Sequence, residues 1–487
     1  VTLIENVADW AAGLSLDDVP DRVVDFAQSQ VLSQLAAARA GYQHRLGRAV
    51  VAGFGEPFGS DPARSAYVLA GLTSWLHFDD TAYAGHLSNS TANVPLAYAH
   101  ALGLDGASLL RSVIVANEVA ARIAAAATLG RFRGQNAAHT HIAGAVAGRL
   151  AASRAPYEQW VNALGIAFAL PLWPSLRAFL GSDAKVLSAS APVRLGLDAC
   201  DAAAAGLVGQ RDILEHPDGF LSSFATVPLP DAVDLDLGRR WHTETMSFKV
   251  HPGGPGLDAA VDCALELHGV LGSLRAEDVE EVVVTTSMYT MVVDQKAAEF
   301  VDGADSPVSA LVFSTPYAVA SALQRGSYVG ADLDFPAVAD QSRWDLAAKV
   351  RLEHDAEMTR ESLLSEAPFG EALRQAGPRA AMWLEEVGTQ WLVDLVGELE
   401  PPRETFQDAT KATPARVTVR LMDGRTYSRE LAVPVGAIGP ATRARHLELV
   451  RAKWLGVGGT RVVADTVAAL RAAAPVEVRA MLEGALR

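Results

Sequence analysis

The sequence predicts a mainly α protein: a large all-helical domain built from both chain ends, plus a smaller α+β domain between them. Three observations carry that expectation. Ala-rich segments with helical apolar spacing recur from residue 2 to about 245. β-branched runs and an Asp-Gly turn gather between about 246 and 435. Residues 440–487 then return to a helical pattern. The 487 residues, half of them apolar, are enough to bury a large core in two domains or lobes.

The helical segments fall at 20–41, 62–78, 95–102, 106–129, 142–153, 157–170 and 193–206. Small residues stand at helix spacing in GAVAG (144–148), which lets helices approach closely. In the middle of the chain, EVVVTT (281–286) and KVRLE (349–353) have strand character. Two further strands, 415–421 and 425–433, flank the hairpin signal Asp423-Gly424. Helical stretches at 257–271 and 306–325 lie among them. The boundaries therefore fall at 1–245 (helical), 246–435 (α+β, with a helical insertion at 357–412) and 436–487 (helical, rejoining the first part). The insertion holds an amphipathic stretch, with Trp383, Leu384, Val387, Trp391, Leu392, Leu395 and Val396 on one face. Core packing is its plainer reading; a dimer contact or a cover over the active site is the sharper one.

A net charge of -16 argues against nucleic acid or an anionic membrane as partner, and means that an acidic substrate needs a local cationic pocket. Cys200 and Cys263 are too few for an iron–sulfur cluster or a structural zinc site, and suggest a reducing compartment. No secretory signal pattern is visible, and the apolar run 164–176 is too short and too Pro-broken to span a bilayer. The expectation is a soluble cytoplasmic protein. No GxSxG, HExxH, Walker or CxxC motif is present, so the usual hydrolase classes have no support.

Two stretches concentrate polar chemistry. In His77-Phe78-Asp79-Asp80-Thr81, His77 and Thr81 share a face if the preceding helix continues; Asp79 then points elsewhere, with Asp80 flanking. If the helix breaks, the two Asp are caps and His77 is a surface residue. His86 follows in a polar loop. The second stretch is KVHPGGPG (249–256), where Lys249 and the N–H groups of the turn and following helix form an anion cradle. His251 is there either a ligand or a turn residue. His139-Thr140-His141 precede the small-residue helix, with Thr140 as its N-cap and one His facing a pocket. Lys185 sits among small uncharged neighbours, which suits a partly enclosed Lys holding a carboxylate.

Taken together, these residues resemble the MmgE/PrpD family, which includes 2-methylcitrate dehydratase, cis-aconitate decarboxylase and iminodisuccinate epimerase. The matching segments are HFDDT with GHLS near 77, NAAHTHIAGAVAGRLAA near 139 and SDAKVLSASAPVRLGLDA near 185. KVHPGGPGLDAAVDCALEL near 249, VFSTPYAVASALQRG near 313, KVRLEHD near 349 and PARVTVRLMDGRTY near 414 follow in family order. The resemblance implies a helical domain with an α+β lid, a site between them, a homodimer and no cofactor. It implies pocket roles for Thr81, His86, a His of 139–141, Lys185 and Lys249, with Tyr289 as a lid contribution. The family often has Asp where His77 stands, a His near Ser188, and Cys or His where Gly253 and Gly254 stand. The insertion is also longer than usual. A divergent member with its own substrate is implied.

The expected function is a cofactor-independent dehydratase of a hydroxy polycarboxylate or related hydroxy acid, with no metal. His77, His86, His139, His141, Lys185 and Lys249 are the expected catalytic residues; Asp80, Thr81, His251 and Tyr289 bind substrate. A cationic His77 would favour departure of hydroxide. Decarboxylation or epimerisation on the same site is the first alternative, and a non-catalytic carboxylate-binding protein is the alternative of another class.

Overall fold

The computed structural model describes residues 1–83, 85–131, 138–254 and 256–486. The chain is mainly α. Its helices start where the sequence supplies side-chain caps. Asp61 accepts from the amides of Ala63 and Arg64 at the head of Pro62–Ser74, and Asp105 accepts from Ser108 at the head of Gly106–Ala127. The helix Ala138–Ala152 carries the small-residue run and packs on Asn93–Leu102: a Cβ on Gly148 would come within 2.8 Å of Pro95. The larger apolar core joins the helices Asn93–Leu102, Gly106–Ala127 and Ala138–Ala152 to the C-terminal stretch through Val450, Trp454, Leu470 and Leu482. Among the described residues no helix is long and apolar enough to cross a membrane.

A second core forms around a four-stranded sheet in the order Val350–His354, Val279–Thr286, Ala415–Leu421, Thr426–Leu431. The first pair is parallel and the others antiparallel. Val282 and Val284 pair with Val419 and Val417, and all four are buried in the core with the helices Leu257–Leu271 and Thr315–Arg325. The expected helix 306–325 is two, Val308–Leu311 and Thr315–Arg325, because Ser314 caps a new start with Pro316 in its first turn.

The insertion does not present a free apolar face. Trp383, Leu384, Leu392 and Val396 enter the larger core, and Trp383 Nε1 donates to Gly130 O at 3.0 Å. The helix Ala380–Val396 bends at Gly388 and Thr389, which leaves helical geometry at φ 68°. The bend turns Trp391 out of that face to 40% exposure. Core packing, the plainer reading, describes the buried residues of this segment.

Candidate functional site

The site is made by a chain reversal that helical periodicity does not reveal. The helix Pro62–Ser74 stops before the first candidate residue. Trp75 and Leu76 stay buried, and His77 takes a left-handed φ of 48°. Such a conformation at a non-glycine residue is strained and clusters at functional sites. Beyond it the chain pairs with Phe248's neighbour: Thr81 N donates to Ser247 O at 3.1 Å and Ser247 N to Thr81 O at 2.7 Å. Thr81 and His86 then face each other across a two-residue antiparallel turn pair. The expectation of a continued helix, with Asp79 pointing elsewhere, is thus corrected. Asp79 and Asp80 cap no helix either; both are fully buried.

Asp79 is the partner of His86, with Nδ1 and Oδ2 2.8 Å apart. Burial pushes the Asp79 carboxyl up, but His86, Lys249 and His141 outweigh it and the net shift is down. The carboxylate holds the proton on Nδ1 and leaves Nε2 of His86 as the basic nitrogen. His77 lies edge-on to His86, ring centres 4.4 Å apart, and edge-on to Phe313 at 4.9 Å. Its Nε2 meets the Lys185 ammonium, and its Nδ1 has no partner among the described residues. Burial first, then Lys185, His86 and Lys249, hold His77 well below the usual histidine range. Of the two states open to His77 these surroundings favour the neutral ring, not the cationic one. Lys185 itself is driven well down by burial, with Asp79 and Lys249 acting in opposite senses, and it stands 3.9 Å over the Phe179 ring. Among the described residues Lys185 forms no ion pair with a carboxylate.

Both histidines of 139–141 lie in the first turn of the helix Ala138–Ala152, so Thr140 is not its N-cap; the segment 132–137 lies outside the described residues. His141 is the one joined to the cluster. Its Nδ1 is 3.3 Å from Ser90 Oγ, and burial, Asp79 and His86 shape its pKa of about 3. His139 packs against Phe220 and Phe224, both at 5.6 Å, and burial alone lowers it to about 4.

Lys249 reaches the cluster from the other side. Its ammonium donates to His77 O at 3.1 Å and to Gly253 O, with Asp258 Oδ2 3.8 Å away. Of the N–H groups expected to form a backbone anion cradle, those of the two glycines are taken by carbonyls. Gly253 N donates to Leu76 O at 3.1 Å and Gly254 N to Val312 O at 2.6 Å; Pro255, in the same turn, lies outside the described residues. A Cβ on Gly254 would overlap the Phe313 ring, so glycine there makes room for the aromatic that walls His77. His251 is a turn clamp, with Nε2 3.1 Å from Asp262 Oδ1 and Nδ1 3.3 Å from Tyr328 O. Tyr289 packs edge-on to Phe369 at 5.8 Å, and burial raises it to about 12.

Comparison with known families agrees with this arrangement. The MmgE/PrpD N-terminal domain profile matches residues 5–231, and the MmgE/PrpD C-terminal domain profile matches residues 251–375. This chain belongs to the MmgE/PrpD family. No curated protein matches it individually. MmgE/PrpD membership supports a lyase-like activity in general, since members are typically dehydratases and decarboxylases.

Two lysines beyond the matched stretches also enter the MmgE/PrpD cluster, and sequence reasoning missed both. Lys453, on the helix Pro440–Gly456, donates to Ser33 Oγ at 2.8 Å and Phe78 O at 2.6 Å. Ser33 donates in turn to Asp80 at 2.5 Å, and Lys453 lies 3.7 Å from that carboxylate. Asp80 is thus engaged with Ser33 and Lys453. Burial raises Asp80 and lowers Lys453, each opposed by the other. Lys411, at the end of the insertion, donates to Thr81 Oγ1 at 2.9 Å. Its neighbours Ala409, Thr410, Ala412 and Thr413 are small and uncharged, the same signal that singles out Lys185. Lys453 has Arg451 and Trp454 close beside it and gives no such signal.

Proposed function

We propose that this chain is a cofactor-independent dehydratase acting on a hydroxy acid that carries more than one carboxylate. The observation behind it is the Asp79–His86 pair, at 2.8 Å, beside a buried Lys185 without a carboxylate partner among the described residues. Elimination needs a base for a carbon-bound proton, a cation against the carboxylate that takes up the carbanion's charge, and an acid for the departing hydroxide. His86 Nε2 is the base, held in the right tautomer by Asp79. The substrate's C–H electron pair becomes the new C=C bond as the C–O bond breaks. Hydroxide leaves as water with the proton that His86 took from carbon, while the Lys185 ammonium pairs with the substrate carboxylate that takes up the carbanion's charge. Neutral His77 accepts the Lys185 hydrogen bond and aims it; His141 belongs to the same buried cluster.

The division at 245/246 and 435/436, a lid role for the smaller part, and a homodimer belong to the same proposal and rest on the family resemblance. Incubation with a panel of hydroxy di- and tricarboxylates, read by mass, tests the reaction. Loss of 18 mass units (water) with deuterium exchange at the adjacent carbon is expected. Loss of 44 (carbon dioxide) would assign a decarboxylase instead, and exchange without loss an epimerase.

A further inference from the structure

Resting on the reading of this site as a carboxylate site, we propose that Lys411, carried by the insertion, is a substrate-binding residue that receives a carboxylate beside Thr81. Four observations bear on it. Lys411 is buried, and among the described residues its ammonium meets only a neutral hydroxyl, Thr81 Oγ1 at 2.9 Å. The other lysines brought in from the C-terminal half have carboxylates at hand: Lys453 has Asp80 at 3.7 Å and Lys249 has Asp258 at 3.8 Å. Asp258 and Asp79 act on Lys411 only from beyond ion-pair distance, and burial outweighs them; a buried ammonium without a contacting counter-ion is costly unless an anion arrives to pair with it.

The position is built rather than incidental. Lys411 N donates to Ile438 O at 2.9 Å, and Thr410 N and Oγ1 both donate to Glu366 Oε2 at 2.9 Å. Arg443 Nη2 grips Phe406 O at 3.2 Å and also Ala409 O. The backbone is therefore pinned on both sides of a side chain that points at the catalytic loop.

Placement completes the picture. Lys411 meets Thr81, which pairs with His86 across the turn, and Lys185 meets His77, whose ring centre lies 4.4 Å from that of His86. Two lysines without an ion-paired carboxylate among the described residues thus stand beside the His86 dyad, one through His77 and one through Thr81. An acid with carboxylates at both ends could engage both, with its central carbons near His86. Lys411 lies outside both matched family stretches, so the insertion supplies this contact.

The test uses saturated acids that cannot lose water, succinate and tricarballylate, titrated calorimetrically into the full-length protein. The variants are Lys411→Met, Lys411→Gln and Lys185→Met. Gln can still donate to Thr81 but carries no charge. Affinity for tricarballylate is expected to fall about 10–100-fold in both Lys411 variants, as for loss of a charge-assisted contact, with a melting temperature at or above wild type. Restoration of affinity by Gln would make Lys411 structural and overturn the inference, as would failure of both Lys411 variants to fold. Wild-type affinity in both, with binding lost in Lys185→Met, would overturn the inference and leave the dehydratase reading standing. If neither acid binds the wild type at millimolar concentration, both fall.

Discussion

Asp79→Asn is the sharpest test of the proposed acid–base chemistry. The carboxylate is fully buried and lies 2.8 Å from His86 Nδ1. When Nε2 takes a proton from carbon, the ring becomes an imidazolium and Asp79 is its nearest charge. With charge centres about 4 Å apart and an effective dielectric of about 20, the attraction is about 4 kcal/mol. Some of it is replaced by the dipole of the amide, so about 3 kcal/mol is at stake, or roughly 10²-fold in rate. Asn adds a second effect. Its NH2 can donate to Nδ1, which moves the ring proton to Nε2 and removes the basic nitrogen. The expected loss in kcat is therefore about 10²–10⁴-fold, with KM little changed. Long-range ¹H–¹⁵N correlation spectra of histidine-labelled protein read the tautomer without any substrate. The wild-type signal should show protonated Nδ1, and the variant should lose it. A wild-type His86 carrying its proton on Nε2, or a variant within threefold of wild-type turnover, would refute the assignment.

Three further outcomes follow from named contacts. Lys453→Met leaves Asp80 buried beside Ser33 without its cation and should destabilise by about 3–5 kcal/mol in urea unfolding, whereas Asp80→Asn with Lys453→Met should cost clearly less than the sum of the singles. His139 has a folded pKa of about 4, below its unfolded value, so the unfolded state binds the extra proton as pH falls through the window between them. Wild type should therefore lose, relative to His139→Phe, about 1.4 kcal/mol of stability per pH unit between about 6.5 and 4. Gly254→Ala pushes a methyl into the Phe313 ring and should destabilise by about 1–3 kcal/mol. Gly53→Ala, in the helix Arg45–Phe54 with open space around it, should stabilise by up to about 1 kcal/mol. Equal effects at the two glycines, in thermal melts, would contradict this.

The parts of the fold visible in the sequence are those set by local periodicity. The strand at 281–286, the Asp423-Gly424 hairpin and the helices at 106 and 257 depend on apolar spacing and turn chemistry within a few residues. The site was visible as a set of residues and not as a geometry. His77, His86, His141, Lys185 and Lys249 do converge, but helical spacing misassigned Asp79, because nothing local announces a left-handed turn at His77. The two glycine amides expected in an anion cradle are spent for a tertiary reason: Leu76 and Val312, distant in sequence, accept from them. His251, attractive as a site residue beside Lys249, is drawn away by Asp262, which lies on the buried side of the next helix. Lys453 was out of reach because its partners Ser33 and Phe78 are brought to it only when the chain end folds back.

A buried lysine kept for folding and one kept for a ligand differ in the sign of their effect on stability. Burial lowers Lys411 to about 8, with Asp258 and Asp79 only partly restoring it. Its unfolded value is near 10.4, so the folded state binds fewer protons than the unfolded state between those two values. Stability contributed by this group therefore rises as pH climbs from about 8 to about 10.4, and below about 8 a constant penalty of about 3 kcal/mol remains. Lys411→Met removes that penalty at neutral pH and gives up one hydrogen bond to Thr81, worth about 1 kcal/mol. The variant should thus melt higher than wild type at pH 7, and the difference should shrink toward pH 10. A structural lysine would do the reverse, melting lower at pH 7. Thermal unfolding of both proteins from pH 6.5 to 10 decides between them, and a carboxylate that saturates the wild type should raise the wild type toward the variant and move the variant less.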